Sequence, residues 1–267
     1  MKTLKFLALL AGAYLLLVLG VFVFQRDFLY FPNATYVSLS EAQAHASFKE
    51  LGVRARGGIK LKGWYAPATS SPLTFIFFHG NKDNLASAAH IADPYLAAGY
   101  GFLIAEYRGY SGFRGKPTED GLYADGRAYI ESLMALGVKP EDIILFGHSL
   151  GSGVATQMAK EYPVGGLMLV GPFLSVAKMG AIYFPYLPAE YITLDRFDNA
   201  EKIAQINAPL LIANGSEDKV VPPSHGKALY ALAAQPRQFY SLLDRGHSDL
   251  FNNFAVLALE WVQKRDK

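Results

Sequence analysis

Five short, unbroken apolar runs punctuate this chain: Phe75-Ile76-Phe77-Phe78, Phe102-Leu103-Ile104-Ala105, Ile143-Ile144-Leu145-Phe146, Leu167-Met168-Leu169-Val170 and Leu210-Leu211-Ile212-Ala213. Runs with no polar face mark strands buried on both sides, and such strands belong to a parallel sheet covered by helices. The segments between them carry helical spacing, with Leu122, Tyr129, Leu133 and Leu136 in one and Leu250, Phe251, Phe254, Leu257, Ala258 and Trp261 in another. Ahead of the first run, Val53-Arg54-Ala55-Arg56 and Leu61-Lys62-Gly63-Trp64-Tyr65 alternate as half-exposed antiparallel strands do. The pattern predicts an α/β fold: one open, mostly parallel sheet with two antiparallel lead-in strands and helices on both faces. No Pro/Gly/Ser-rich linker, internal repeat or low-complexity tract divides it.

One segment breaks the rhythm. Residues 172–206 lack a strand-like run and carry Phe173, Tyr183, Phe184, Tyr186 and Tyr191 among three prolines. A connection this long is uncommon in a compact domain, so it is expected either to cap the site as a short lid insertion or to pack its aromatics onto the surface.

The amino-terminal end is different in kind. Phe6 to Phe24 are 19 uncharged residues, about 28 Å of helix against a hydrocarbon core of about 30 Å. A cleaved signal peptide is the competing reading, but the run is long for one and no Ala-x-Ala site follows. A single-pass anchor over residues 1–28 is expected, followed by one domain over 29–267. Lys2, Lys5 and the amino terminus precede the span, whereas Arg26 is offset by Asp27 after it. The positive-inside rule then predicts a cytoplasmic N-terminus at the inner membrane and a catalytic domain in the periplasm.

Lys and Arg total 25 against 23 Asp and Glu, a net charge of +2 with no basic block, so no nucleic-acid partner is expected. The absence of cysteine excludes disulfides, a thiol nucleophile and Cys-bound zinc.

Gly147-His148-Ser149-Leu150-Gly151 matches Gly-x-Ser-x-Gly and sits between a buried run and a segment, 152–161, that reads as helix. That strand–turn–helix setting is what a nucleophile elbow requires, and it leaves the Leu150 N–H at a helix N-terminus, free to donate to an oxyanion. A serine hydroxyl is a weak nucleophile at neutral pH and needs a base, held in turn by a carboxylate. His247, in a turn before the last helix, is the candidate base. Asp218, at the carboxyl end of the fifth buried run, is the candidate acid, with Glu217 its near competitor. His148 and His225 are assigned packing or surface roles, and Asp195 and Asp198 solvated or capping ones. After the first buried run, Phe78-His79-Gly80-Asn81 offers the backbone amide of Asn81 as a second oxyanion donor, with His79 orienting the loop.

On these residues the chain resembles the α/β-hydrolase superfamily, in the branch of membrane-anchored serine hydrolases with a His-Gly-Asn oxyanion loop. The likeness runs from about Leu29 to Trp261, through Gln25 to Pro32, His79-Gly80-Asn81, Tyr107-Arg108-Gly109-Tyr110, the elbow, Gly215 to Pro222 and Gly246-His247-Ser248. It implies the α/β-hydrolase fold and a Ser149-His247-Asp218 triad with Asn81 and Leu150 in the oxyanion hole, acting without a cofactor. An ester or thioester is the expected substrate, and the aromatic insertion together with the membrane anchor points to a small-molecule or lipid-like acyl group presented near the bilayer. Relatives tend to carry Asp or Asn where Glu106 stands and Gly where Ser111 stands, so the shape of that loop is the open point. Arg108 is expected to clamp it, with substrate binding the alternative role. A serine peptidase of the same fold and a non-catalytic membrane-anchored binding protein are the alternatives.

Overall fold

Each apolar run is a strand because it must satisfy its backbone inside a sheet while presenting side chains to two covered faces. In the computed structural model, which describes residues 1–264, the helix α1 (Lys2–Leu29) leads into β1 (Lys49–Ala55) and β2 (Ile59–Ala66). The core follows as β3 (Thr74–Phe78), the short helices α2 (Leu85–Ala88) and α3 (Asp93–Ala97), β4 (Gly101–Ala105), α4 (Glu119–Ala135), β5 (Ile143–His148), α5 (Leu150–Glu161) and β6 (Gly166–Val170). Then come α6 (Val176–Tyr183), α7 (Ala189–Ile192), α8 (Asn199–Ile203), β7 (Leu210–Gly215), α9 (Pro223–Leu232), β8 (Arg237–Leu242) and α10 (Phe251–Gln263). The last three residues of the expected 29–267 domain lie outside the described residues.

The eight strands form one sheet in the order β1-β2-β4-β3-β5-β6-β7-β8. β1 pairs with β2 and β2 with β4 antiparallel; every other neighbour is parallel. Alternate residues of each run divide between the faces. Ile76, Phe78, Leu145 and Leu169 pack with Leu122, Tyr129 and Leu133 of α4 and Val154 and Met158 of α5. Phe75, Phe77, Phe146 and Val170 pack with Tyr95 of α3 and Phe254, Ala258 and Trp261 of α10. Leu136 departs from the predicted stripe: α4 ends at Ala135, and Leu136, beyond its last turn, is exposed. The parallel register brings the carboxyl ends of β3, β5, β6 and β7 to one edge, where ligands gather in open α/β sheets.

α1 is apolar and long enough to cross a membrane, and none of its residues is buried in the protein.

Candidate active site

β5 passes into α5 through a single residue. Ser149 has φ +50° and ψ −117°, a conformation that costs an L-residue energy and persists only where the surroundings impose it. The surroundings here are close. A Cβ on Gly151 would lie 1.9 Å from the Phe78 carbonyl oxygen, so the head of α5 presses directly against the end of β3. α5 starts two residues earlier than the expected 152–161, making Ser149 its N-cap. Serine in that position usually bonds its own helix, yet the Ser149 side chain makes no capping bond. Its amide donates to the Val170 carbonyl at 3.0 Å, tying the elbow to the end of β6.

The structure brings His247 and Asp218 together at 2.7 Å, Nδ1 to Oδ2. The other carboxylate oxygen accepts the backbone amides of Val220 and Val221, each at 2.8 Å. Burial works against ionising Asp218, but His247 and these two amides outweigh it and hold the carboxyl below its ordinary value. With Nδ1 donating, His247 keeps Nε2 as a lone-pair acceptor. Glu217, the competing acid, instead donates its amide to the Arg245 carbonyl, which joins the acid loop to the histidine loop. Gly171, the residue after Val170, is where the two halves meet: a Cβ there would stand 3.0 Å from His247 Cε1. Among the described residues, no hydrogen bond joins Ser149 Oγ to His247, and such bonds commonly tighten only once substrate binds.

His148 packs inward, 3% exposed, with its ring against those of His247 and Phe251. Its Nε2 donates to the His247 carbonyl at 3.1 Å. Asp83 faces its Nδ1 at 3.6 Å and accepts the Gly80 amide at 3.2 Å. Burial raises the Asp83 carboxyl, but the neighbouring His148 and His79 overcome this and hold it at about 2. Asp83 lies 65 positions from His148, and nothing in the sequence marks the pair.

The His-Gly-Asn loop is held from beneath. Both ring nitrogens of the fully buried His79 face acceptors, Nδ1 the Gly80 carbonyl at 2.8 Å and Nε2 the Glu106 carboxylate at 2.7 Å. Two acceptors around one imidazole favour its doubly protonated form, since only that form donates from both nitrogens. Burial opposes that charge, and Glu106 overcomes the opposition, raising the His79 pKa. Glu106 further accepts the Leu85 and Tyr107 amides and, at 2.6 Å, the Ser111 hydroxyl. The two positions at which this chain departs from the pattern of its look-alikes thus bond each other. Arg108 clamps the following turn, its guanidinium and backbone amide both on Asp125.

Among the described residues, neither the Asn81 nor the Leu150 backbone amide donates to a protein acceptor. The Asn81 side chain is fully engaged, donating to Leu29 O at 2.5 Å and accepting from Phe31 N and the Tyr110 hydroxyl. Asp198 caps α8. Asp195 is neither solvated nor a cap: it is buried and receives a bidentate bond from Arg26, at 2.7 and 3.0 Å, and one from the Tyr30 hydroxyl. Nothing nearby in the sequence marks Asp195 for this role, because its partners come from the end of α1, some 165 residues away.

The chain is 36% identical over 237 residues, 86% of this chain and 84% of the other, to the Mycobacterium tuberculosis protein Rv2307c. It is 32% identical over 186 residues, 68% of this chain and 62% of the other, to alpha/beta hydrolase domain-containing protein 17B of Xenopus laevis. The chain belongs to the α/β-hydrolase superfamily. A family profile described as "Serine aminopeptidase, S33" matches residues 70–193 of this hydrolase. Its fold is shared with the Pyrococcus furiosus esterase Pf2001, at a TM-score of 0.69 and 19% identity over 88% of this chain and 98% of that one. It is shared too with the esterase domain of a Rhodothermus marinus protein, at 0.65 and 20% over 81% and 98%.

Proposed function

We propose that this hydrolase cleaves carboxylic esters or thioesters of apolar acyl groups through Ser149, His247 and Asp218. The observation that carries the reading is Ser149 itself, a strained residue at the head of α5 whose hydroxyl caps nothing, with the His247–Asp218 pair meeting the elbow at Gly171. Ser149 Oγ attacks the acyl carbon as His247 Nε2 takes the hydroxyl proton. The Asn81 and Leu150 amides receive the oxyanion. Collapse expels the alcohol or thiol, which takes the proton back from His247. Water then repeats the sequence and releases the carboxylic acid and free Ser149.

A peptidase is the second reading, favoured by the description of the matching family profile. It needs a carboxylate for the substrate's amino group; of the insertion's Glu190, Asp195 and Asp198, the two aspartates are committed to Arg26 and to the cap of α8, which leaves Glu190 as the candidate. We place the N-terminus in the cytoplasm and the catalytic domain in the periplasm, since the basic residues precede the span; a reporter fused after residue 267 is expected to be active only outside the cytoplasm.

Fluorophosphonate labelling of the full chain beside Ser149→Ala, with the labelled peptide mapped by mass spectrometry, tests the reading. Label on Ser149 alone is expected. A folded wild-type protein that takes no label overturns it in favour of the binding-protein alternative.

A further inference from the structure

Between Phe6 and Phe24 the only side chain able to hydrogen-bond is Tyr14, and its hydroxyl donates to the backbone carbonyl of Tyr186 at 2.9 Å. Eleven positions on, Gln25 donates to Ile192 O and accepts the Leu194 amide, and Arg26 holds Asp195. α1 therefore runs beside the insertion for about 17 Å, the rise of those eleven residues. The partly shielded residues of α1 are Val18, Gly20, Val21, Gln25 and Leu29, and four of them, Val18, Val21, Gln25 and Leu29, recur at three- and four-residue steps as one stripe. Tyr14 lies nearly three turns inside the apolar run, so if α1 crosses the bilayer, the tip of the insertion goes in with it.

The tip is built for that medium. Residues 179–189 contain no charge, and Phe184-Pro185-Tyr186-Leu187-Pro188 turns with two prolines that have no N–H to satisfy. Phe184 N and Leu187 N are bonded to the carbonyls of Gly180 and Phe184. Tyr186 is 62% exposed and Tyr191 90%, alongside exposed Ile182, Phe184 and Leu194. A water-exposed position would leave this apolar surface uncovered, whereas in lipid the Tyr14–Tyr186 bond satisfies a hydroxyl and a carbonyl that have no water to turn to.

The same elements rim the candidate site. The Tyr183 hydroxyl donates to Val220 O at 2.7 Å, two residues from Asp218, and the end of α1 is bonded to Asn81. We infer that the tip of the insertion, residues 182–187, is embedded in the bilayer leaflet on the side of the catalytic domain, and that the site takes its acyl substrate laterally from that leaflet. The substrate clause rests on the esterase reading; the embedding does not.

Because the chain has no cysteine, Tyr186→Cys and Leu136→Cys each carry one NBD fluorophore in the full-length protein reconstituted into phosphatidylcholine vesicles. Leu136 is exposed before β5, at the opposite edge of the sheet. The label at 186 is expected to be quenched by doxyl-lipids and protected from aqueous dithionite, and the label at 136 to be neither. Equal bleaching at the two sites, or protection at 186 without lipid quenching, as contact with a second copy would give, overturns the embedding. Phe184→Ser/Tyr186→Ser is then expected to slow hydrolysis of a vesicle-embedded long-chain ester about tenfold while leaving fluorophosphonate labelling and hydrolysis of a soluble acetyl ester unchanged. Equal loss on both substrates overturns lateral uptake.

Discussion

The side-chain amide of Asn81 donates to the carbonyl of Leu29 at 2.5 Å, so the residue proposed to offer its backbone amide to the oxyanion is fastened by its side chain to the last turn of α1. Asn81→Asp removes the donor and keeps the acceptor for Phe31 N and Tyr110. We expect kcat to fall by about 10²-fold, the lower end of what a lost oxyanion donor costs, with KM nearly unchanged. Steady-state kinetics on a soluble ester decides this, and a rise in KM with kcat intact would count against it.

Asp218→Asn preserves shape but no longer holds His247 in the tautomer that leaves Nε2 free. A loss of about 10⁴-fold in kcat is expected, the scale set by losing tautomer control in a triad, with an unchanged circular dichroism spectrum.

The His79–Glu106 pair makes stability depend on pH. A histidine whose pKa is raised on folding contributes stability that is fully present below its unfolded value of about 6.5 and is lost as pH rises through the folded value. Glu106→Gln removes the counter-charge. The gap in thermal midpoint between wild type and this variant is therefore expected to be widest at pH 6 and to narrow at alkaline pH; a gap that widens with pH contradicts the assignment.

Arg26→Leu leaves the buried Asp195 carboxylate with the Tyr30 hydroxyl alone. Removing one partner of a fully buried ion pair costs about 3–5 kcal/mol; because Arg26 is itself half-exposed, a smaller loss is expected, felt by the insertion that holds Asp195. In detergent solution, away from the bilayer, limited proteolysis should cut within residues 182–194 faster in the variant, with fragments ending elsewhere arguing against that division.

Gly151→Ala would place a methyl group 1.9 Å from the Phe78 carbonyl oxygen, a backbone atom of β3 that cannot swing aside. Loss of folded protein, or an elbow displaced enough to abolish Ser149 labelling, is expected.

What the sequence determined by itself was local and periodic. Short unbroken apolar runs bounded by turn residues favour buried strands, and Gly147-His148-Ser149-Leu150-Gly151 between such a run and a helical segment favours a tight strand–helix turn, so the parallel sheet, the elbow and the candidates Ser149, Asp218 and His247 were legible residue by residue. Chain order favours Asp218 over Glu217 as the candidate acid, and in the fold Asp218 lies 2.7 Å from His247. What the sequence left hidden had a distant partner: Asp195 reads as solvated or capping because Arg26 and Tyr30 reach it from the far end of the chain, nothing near Asp83 points to His148, and Glu106 and Ser111 stand five positions apart with no sign that folding sets them 2.6 Å from each other. Hydrophobic period is written into neighbours along the chain, whereas the pairing of polar groups depends on which loops the sheet brings to one edge, and only the tertiary structure decided that.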